Sequence, residues 1–168
     1  MLDQKIHSAA HHGISGVEVV HKDLERDIYE IPEPVHAPAQ YTTDCSGDES
    51  VTVSDLQQLP DIGSAKQPII SIAYEPMSWS THVSTWQSEL RVIEAVNRSN
   101  FGLCLDSFHI LTKLWGSPHE VSGKYPDADA NLADSLHGFK RNFRVEKLFY
   151  VQLSDGEKLD PPYSRQHP

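Results

Sequence analysis

The chain has 168 residues, and its 14 Lys and Arg against 24 Asp and Glu give a formal net charge of −10 at pH 7. This length favours a single domain, and the acidity argues against binding to nucleic acid or to an anionic membrane. We expect no signal peptide, because MLDQKIHSAAHH lacks a cationic flank followed by an apolar stretch. No apolar run in the chain reaches about 20 residues, the length that spans a bilayer. Its two cysteines, Cys45 and Cys104, are too few for a disulfide framework or a zinc cluster. We therefore expect a cytoplasmic protein. A small-molecule substrate that is anionic would need a local cation or metal to hold it.

The first half of the chain mixes short regular elements with an irregular segment. Residues 3–12 are predicted to form a helix that stops at Gly13, and the Val-rich residues 15–20 are predicted to form a strand. An irregular, Pro-rich connection follows at about residues 30–48. Residues 50–60 have helical character that Val51, Val53 and Pro60 weaken.

The second half alternates strands and helices, in this order: strand 69–74, amphipathic helix 84–97 capped by Ser84, strand 101–105, a helix that ends at Gly116, loop 116–130, helix 131–142 and strand 147–153. The three strands are continuous apolar runs, which is typical of strands buried on both faces. Strict alternation predicts an α/β fold with a mainly parallel sheet. In such folds, ligand sites gather at the carboxyl ends of the strands.

Each of these three strands ends in a polar residue that can hold a metal ion. Glu75 follows IISIAY, Asp106 follows FGLCL, and Gln152 lies near the end of LFYVQL. Their spacings are 31 and 46 residues, where one βα unit of a barrel averages about 31. Oxygen ligands favour Mg²⁺ or Mn²⁺, with Co²⁺ and Zn²⁺ as alternatives. The competing interpretation is that these side chains only cap helices or accept loop hydrogen bonds.

His109 stands three residues after Asp106. A lone histidine at the start of an apolar helix is often a packed or capping residue, but beside a metal carboxylate it becomes a candidate general base at neutral pH. Glu18 and His21 also lie near a strand end, where a surface pair is the favoured interpretation.

Several segments of the sequence together resemble one enzyme family. The segments IAYEPMSWSTHVSTWQ, VNRSNFGLCLDSFHI and FYVQLSDGEKLDPP resemble the fungal 3-dehydroshikimate dehydratases of quinate catabolism. These enzymes belong to the xylose isomerase-like TIM barrels of the sugar phosphate isomerase/epimerase superfamily. Weaker resemblance extends to LDQKIHSAAHHGISGVEVVHKDLE and DCSGDESVTVSDLQQLPDIGSAKQP. The resemblance implies a metal-dependent lyase that removes water from 3-dehydroshikimate to give protocatechuate.

The resemblance also implies roles for single residues. Glu75, Asp106 and Gln152 match three of the family's four metal ligands, and His109 matches its D-x-x-H histidine, which contacts substrate and is the proposed proton acceptor. The segment from Ser154 to Pro162 resembles the substrate-side loop after the seventh strand, so Ser154 is a candidate substrate-binding residue.

The chain has no counterpart for several parts of a complete barrel, which takes about 250 residues. We expect a single incomplete xylose isomerase-like domain over residues 1–168, lacking the first strand, most of the third and fourth, and the eighth with its ligand glutamate. Turnover is then expected to be lost or weak, and open sheet edges allow self-association. The alternatives are a sugar isomerase or epimerase of the same superfamily, or an inactive truncated fragment.

Overall fold

The computed structural model describes residues 2–13, 16–20 and 47–164, with side chains from residue 7 onward except in the first strand. The elements are helix α1 (Leu2–His11), strand β1 (Gly16–Val20), helix α2 (Glu49–Ser64), strand β2 (Ser71–Glu75), helix α3 (Trp86–Val96), strand β3 (Phe101–Asp106), helix α4 (Ser107–Leu114), helix α5 (Ala128–Asn142), a 3₁₀ turn (Val145–Lys147) and strand β4 (Leu148–Gln152). The helices and strands predicted from the sequence are therefore all present. Most of the Pro-rich connection lies outside the described residues.

The four strands form one parallel sheet in the order β1-β2-β3-β4. Each strand is thus hydrogen-bonded to the one that precedes or follows it along the chain, which confirms the predicted parallel α/β arrangement. Among the described residues the sheet is open, with β1 and β4 at its edges. The carboxyl ends of all four strands consequently lie at the same end of the sheet.

Helices α2 and α3 cover one face of this sheet. Ile72 and Tyr74 on β2 and Phe101 and Leu103 on β3 are almost completely buried there. The helices contribute further buried side chains to the same core: Leu56, Leu59, Val92, Ile93 and Val96. Because side chains alternate along a strand, the opposite face carries Ala73 and Glu75.

The ends of α3 depend on specific local hydrogen bonds. Thr85 caps its first turn, because the Thr85 hydroxyl accepts from the backbone N–H of Ser88 while the Ser88 hydroxyl accepts from the backbone N–H of Thr85. The prediction of Ser84 as the cap was therefore wrong by one residue. At the other end, Asn97 adopts a left-handed backbone conformation with φ of 50°, which stops the helix.

Two further predictions are corrected by the structure. Helix α2 continues through Pro60 to Ser64, and the buried Pro60 carbonyl accepts a hydrogen bond from the side chain of Asn100. Strand β4 is not buried on both faces, since Tyr150 and Val151 are about half exposed at the sheet edge. No helix in the described part of the chain is both long and apolar enough to cross a membrane.

Candidate metal and catalytic site

The sheet brings two carboxylates together at the carboxyl end of its strands. Glu75 is the last residue of β2, and Asp106 is the last residue of the adjacent parallel strand β3. The register pairs Ala73 with Gly102. Glu75 lies two residues after Ala73, and Asp106 lies four residues after Gly102, so both are an even number of residues from this pair. Alternation then directs both side chains to the same face of the sheet.

These carboxylates form a buried cluster with His109. One ligand atom from each of Glu75, Asp106 and His109 lies within 4.8 Å of the other two. All three side chains are buried, with exposures of 4%, 8% and 7%. Burying two carboxylates is costly unless positive charge or hydrogen bonds compensate them, so this arrangement is unusual for a purely structural position.

Asp106 also caps the helix that follows it. One carboxylate oxygen accepts a hydrogen bond from the backbone N–H of Phe108 at 2.8 Å, which satisfies a donor in the first turn of α4. The helix-capping role of Asp106 is therefore confirmed. It does not compete with a ligand role, because a carboxylate has a second oxygen.

The imidazole of His109 is held on both of its edges. On one edge, the backbone N–H of Ser78 donates to Nδ1 at 3.3 Å, and on the other Nε2 faces Oε1 of Glu75 at 3.5 Å. The Trp79 ring packs edge-to-face against the imidazole, with the ring centroids 4.8 Å apart. Burial lowers the pKa of His109 below its ordinary value, and the charge of Asp106 partly offsets this effect. His109 is therefore neutral at pH 7.

Sequence analysis missed Ser78 as part of this site. Besides its backbone contact, its hydroxyl oxygen lies 3.3 Å from Nδ1 of His109 and 2.9 Å from the hydroxyl oxygen of Thr112. One signal was available: Ser78 follows the end of β2 by three residues, just as His109 follows the end of β3 by three.

Gln152 and Ser154 lie beside this cluster on β4 and the segment after it. Gln152 is the register partner of Asp106, so the two side chains share a face of the sheet, and Gln152 is partly buried. The Ser107 hydroxyl donates to the Ser154 carbonyl at 2.7 Å and accepts from the Ser154 N–H at 2.8 Å. This reciprocal pair fixes the chain after β4 to the start of α4.

Two other candidates cannot be placed in the site. The backbone of Glu18 pairs with Ala73 on β2, but the Glu18 side chain lies outside the described part of the structure. His21 lies outside the described residues altogether.

Helix α3 contributes a third buried acid that sequence analysis did not single out. Glu89 is fully buried, and neither of its carboxylate oxygens has a hydrogen-bond partner within the described residues. Burial, reinforced by the charge of Glu75, raises the pKa of Glu89 well above its ordinary value. The helical spacing contained a signal, because Glu89 lies three residues after Trp86 and four before Ile93, on the apolar side of the helix.

A cleft of about 370 Å³ opens between the first turn of α3, helix α4 and helix α5. Asp106 and His109 line it together with polar groups that include Gln87, Asn131 and Ser135. Lys113 is the one Lys or Arg among the residues that line this cleft. Its ammonium group donates to the backbone carbonyl of Ser78 at 3.3 Å, which places it near the imidazole of His109.

The donor set fits a divalent cation. Carboxylate oxygens suit Mg²⁺ and Mn²⁺, and an imidazole extends the range to Co²⁺ and Zn²⁺. The charge of a cation would also compensate the two buried carboxylates of Glu75 and Asp106.

Comparison with known proteins identifies the relatives of this chain. The family model described as xylose isomerase-like TIM barrel matches residues 36–168. The chain is 37% identical over 152 residues to a 3-dehydroshikimate dehydratase of Neurospora crassa, covering 90% of this chain and 41% of that protein. It is 29% identical over 116 residues to a 3-dehydroshikimate dehydratase of Pseudomonas aeruginosa, covering 69% of this chain and 15% of that protein.

Solved structures show the same fold. The crystal structure of the IolI protein with a bound zinc atom superimposes with a TM-score of 0.57 at 20% identity, covering 94% of this chain and 44% of that one. The chain spans less than half the length of the curated relatives that it matches. Four parallel strands in chain order are also the arrangement of neighbouring strands in a TIM barrel. The chain belongs to the xylose isomerase-like TIM barrel family.

Proposed function

We propose that the chain carries the cation-binding and proton-accepting part of a 3-dehydroshikimate dehydratase site, which removes water from 3-dehydroshikimate to give protocatechuate. One observation carries this proposal: Glu75, Asp106 and His109 meet in a buried cluster at the carboxyl ends of adjacent parallel strands. The similarity to the dehydratase of Neurospora crassa supports the choice of reaction.

Glu75 and Asp106 are the proposed cation ligands, and Gln152 is a third ligand from the neighbouring strand. Their oxygens favour Mg²⁺ or Mn²⁺, with Co²⁺ and Zn²⁺ as alternatives. A divalent cation at this position supplies the positive charge that polarises a substrate ketone.

His109 is the proposed base. A neutral imidazole takes the proton from the carbon next to the ketone, and hydroxide leaves from the neighbouring carbon and takes up a proton to become water. The cyclic dienone that remains then moves a ring proton to its ketone oxygen, which gives the aromatic ring. The lowered pKa of His109 favours this role, because the ring is neutral before it accepts the proton. Ser154 is a proposed substrate contact, since its backbone is fixed beside α4 by Ser107.

The cleft beside His109 is the proposed substrate pocket. Its volume of about 370 Å³ lies in the range that small-molecule sites occupy, roughly 300–1,000 Å³. The proposed substrate carries a carboxylate, and a protein with a net charge of −10 needs a local cation to hold it. Lys113 is placed to supply that charge.

We further propose that turnover is far below the range of about 1–1,000 per second found for typical enzymes. The three ligands named above leave out the fourth, a glutamate, that the family resemblance implies. The open edge of β4 also offers a surface for self-association. The proposed compartment is the cytoplasm.

The first experiment measures protocatechuate formation by ultraviolet absorbance, with Mg²⁺ or Mn²⁺ present and with a chelator. Glu75→Gln and His109→Ala should each abolish any cation-dependent signal. Glu94→Gln and His137→Ala are the matched controls, because both residues are exposed on helices away from the cluster.

Calorimetry on the same variants then separates the two roles. Glu75→Gln should weaken binding of Mn²⁺, whereas His109→Ala should change it little. A signal that survives both substitutions would refute the proposed site. Product formation from a sugar, with none from 3-dehydroshikimate, would refute the proposed reaction.

A further inference from the structure

One hydroxyl group joins the carboxyl ends of strands β3 and β4. The Ser107 hydroxyl donates to the Ser154 carbonyl at 2.7 Å and accepts from the Ser154 backbone N–H at 2.8 Å. Ser107 directly follows Asp106, and Ser154 lies two residues after Gln152. Asp106 and Gln152 are both proposed cation ligands, so the Ser107–Ser154 pair connects the two strand ends that carry them.

The pairing of β3 with β4 contains one extra residue on β4. Leu103 pairs with Leu148, whereas Asp106 pairs with Gln152, so three steps along β3 correspond to four steps along β4. The register shifts directly after Leu103, which leaves Phe149 as the extra residue of a bulge.

This bulge decides which side chain of β4 lies on the same face of the sheet as Asp106. Side chains alternate along a strand, and a one-residue change of register moves each of them to the opposite face. With the bulge, Gln152 is the register partner of Asp106. Without it, the pairing of Leu103 with Leu148 would continue to Val151 opposite Asp106. The bulge therefore selects Gln152 for this position.

The same bulge leaves the end of β4 weakly held by the sheet. After the shift, the ladder has three consecutive pairs, of which Asp106 with Gln152 is the last. In the part of the chain that the structure describes, β3 is the one strand that pairs with β4. Tyr150 and Val151 are also about half exposed, so little apolar burial holds this end of the strand. The Ser107–Ser154 pair adds two hydrogen bonds directly beyond the last matched pair.

We infer that Ser107 is a positioning residue, whose hydroxyl holds the carboxyl end of β4 and thereby keeps Gln152 opposite Asp106 in the proposed cation site. Ser107 itself touches neither cation nor substrate in this role. The inference rests on the proposed function in one respect, which is that Gln152 is a cation ligand there.

A double-mutant cycle tests whether Ser107 acts through Gln152. Calorimetry measures Mn²⁺ binding to the original chain, Ser107→Ala, Gln152→Ala and the double variant. Ser107→Ala should weaken Mn²⁺ binding by about 10- to 100-fold, the range typical of groups that orient a metal ligand. In the Gln152→Ala background, the same substitution should change the affinity by no more than about twofold. An equal loss in both backgrounds would overturn the inference, because Ser107 would then act without Gln152.

Two further variants control for a general structural effect. Ser107→Thr keeps the hydroxyl, so its Mn²⁺ affinity should stay within about twofold of the original chain. Ser122→Ala removes a matched hydroxyl in the loop before α5, where Ser122 donates to the Lys124 carbonyl and accepts from the Lys124 N–H. This variant should bind Mn²⁺ as the original chain does. A loss in Ser107→Thr or Ser122→Ala as large as that in Ser107→Ala would contradict the assigned role of the hydroxyl.

The position of the strand end is measured without cation or substrate. In a chelating buffer, NMR detects nuclear Overhauser effects between backbone protons around Asp106 and Gln152. Ser107→Ala should weaken these effects and leave those between Leu103 and Leu148 unchanged, whereas Ser107→Thr should preserve both sets. Unchanged effects around Gln152 in Ser107→Ala would refute the claim that the hydroxyl holds the strand end.

A failure of the proposed function gives a different pattern of results. Mn²⁺ binding that follows the expected cycle, with no protocatechuate formed, would contradict the reaction and support the role of Ser107. No Mn²⁺ binding by the original chain would overturn the ligand role of Gln152 and the effect of Ser107 on it. The NMR comparison would still decide whether Ser107 holds the end of β4.

Discussion

The buried acid on α3 makes the most direct prediction about stability. Glu89 is fully buried, its oxygens have no hydrogen-bond partner among the described residues, and its pKa is raised well above 4.5. In the unfolded chain this carboxyl ionises near its ordinary pKa, whereas in the folded protein it stays protonated. At pH values between the pKa of Glu89 in the unfolded chain and its pKa in the folded protein, the folded state binds more protons. The free energy of unfolding must therefore fall as pH rises through this range.

The size of the effect follows from the same linkage. Between the unfolded and the folded pKa of Glu89, each pH unit lowers the free energy of unfolding by up to about 1.4 kcal/mol. Glu89→Gln removes this loss while keeping the size of the side chain. Glu89→Leu also removes the unpaired polar atoms, which adds about 1–3 kcal/mol at every pH. In a protein of this length, each kcal/mol corresponds to about 2–4 °C in Tm.

Urea unfolding at pH 4, 5, 6, 7 and 8 in a chelating buffer is the appropriate assay, with circular dichroism as the signal. Glu89→Gln should match the original chain near pH 4 and become progressively more stable above it. Glu94→Gln is the control, because Glu94 is exposed on the same helix. A constant difference between Glu89→Gln and the original chain across the pH range would refute the reasoning.

Substitutions at four other positions test the site and the packing of the fold. Asp106→Asn should weaken Mn²⁺ binding in calorimetry while preserving the α4 cap, whereas Asp106→Ala should also cost about 1 kcal/mol in urea unfolding. The original chain should bind protocatechuate more tightly than catechol, which lacks the carboxylate, and Lys113→Gln should remove this difference in affinity. The same difference in Lys113→Gln as in the original chain would contradict the pocket assignment. Gly102→Ala should lower stability by about 1–3 kcal/mol, because its Cβ would lie 2.6 Å from the Lys147 carbonyl. Gly138→Ala, whose nearest contact is 3.6 Å away, should raise Tm slightly.

The sequence predicted the helices and strands better than it predicted how far each of them is buried. The run that forms β4 is mostly apolar, like the runs of β2 and β3, yet Tyr150 and Val151 are half exposed. A buried and an edge strand differ in what lies beside them, and that is decided by distant parts of the chain. Similarly, Pro60 lies inside α2, where burial against the sheet outweighs its weak helix propensity.

Some residues of the site could be predicted from the sequence, and others could not. Glu75, Asp106 and His109 were predictable, because strand ends in a parallel sheet converge and all three carry groups that bind cations or protons. Thr112 was not, because threonine is common and nothing in its sequence position marks it as a neighbour of Ser78.

Substitutions in helix α4 affect several functional groups at once. Helix α4 has only eight residues, and its first turns combine a cap at Asp106, the imidazole of His109 and the hydroxyl of Thr112. A substitution that unwinds this short helix would displace all three groups, so loss of activity alone identifies none of them. A variant that preserves shape and changes one property, such as Asp106→Asn, separates charge from helix stability. The assignment of each role therefore depends on measuring cation binding, turnover and unfolding on the same proteins.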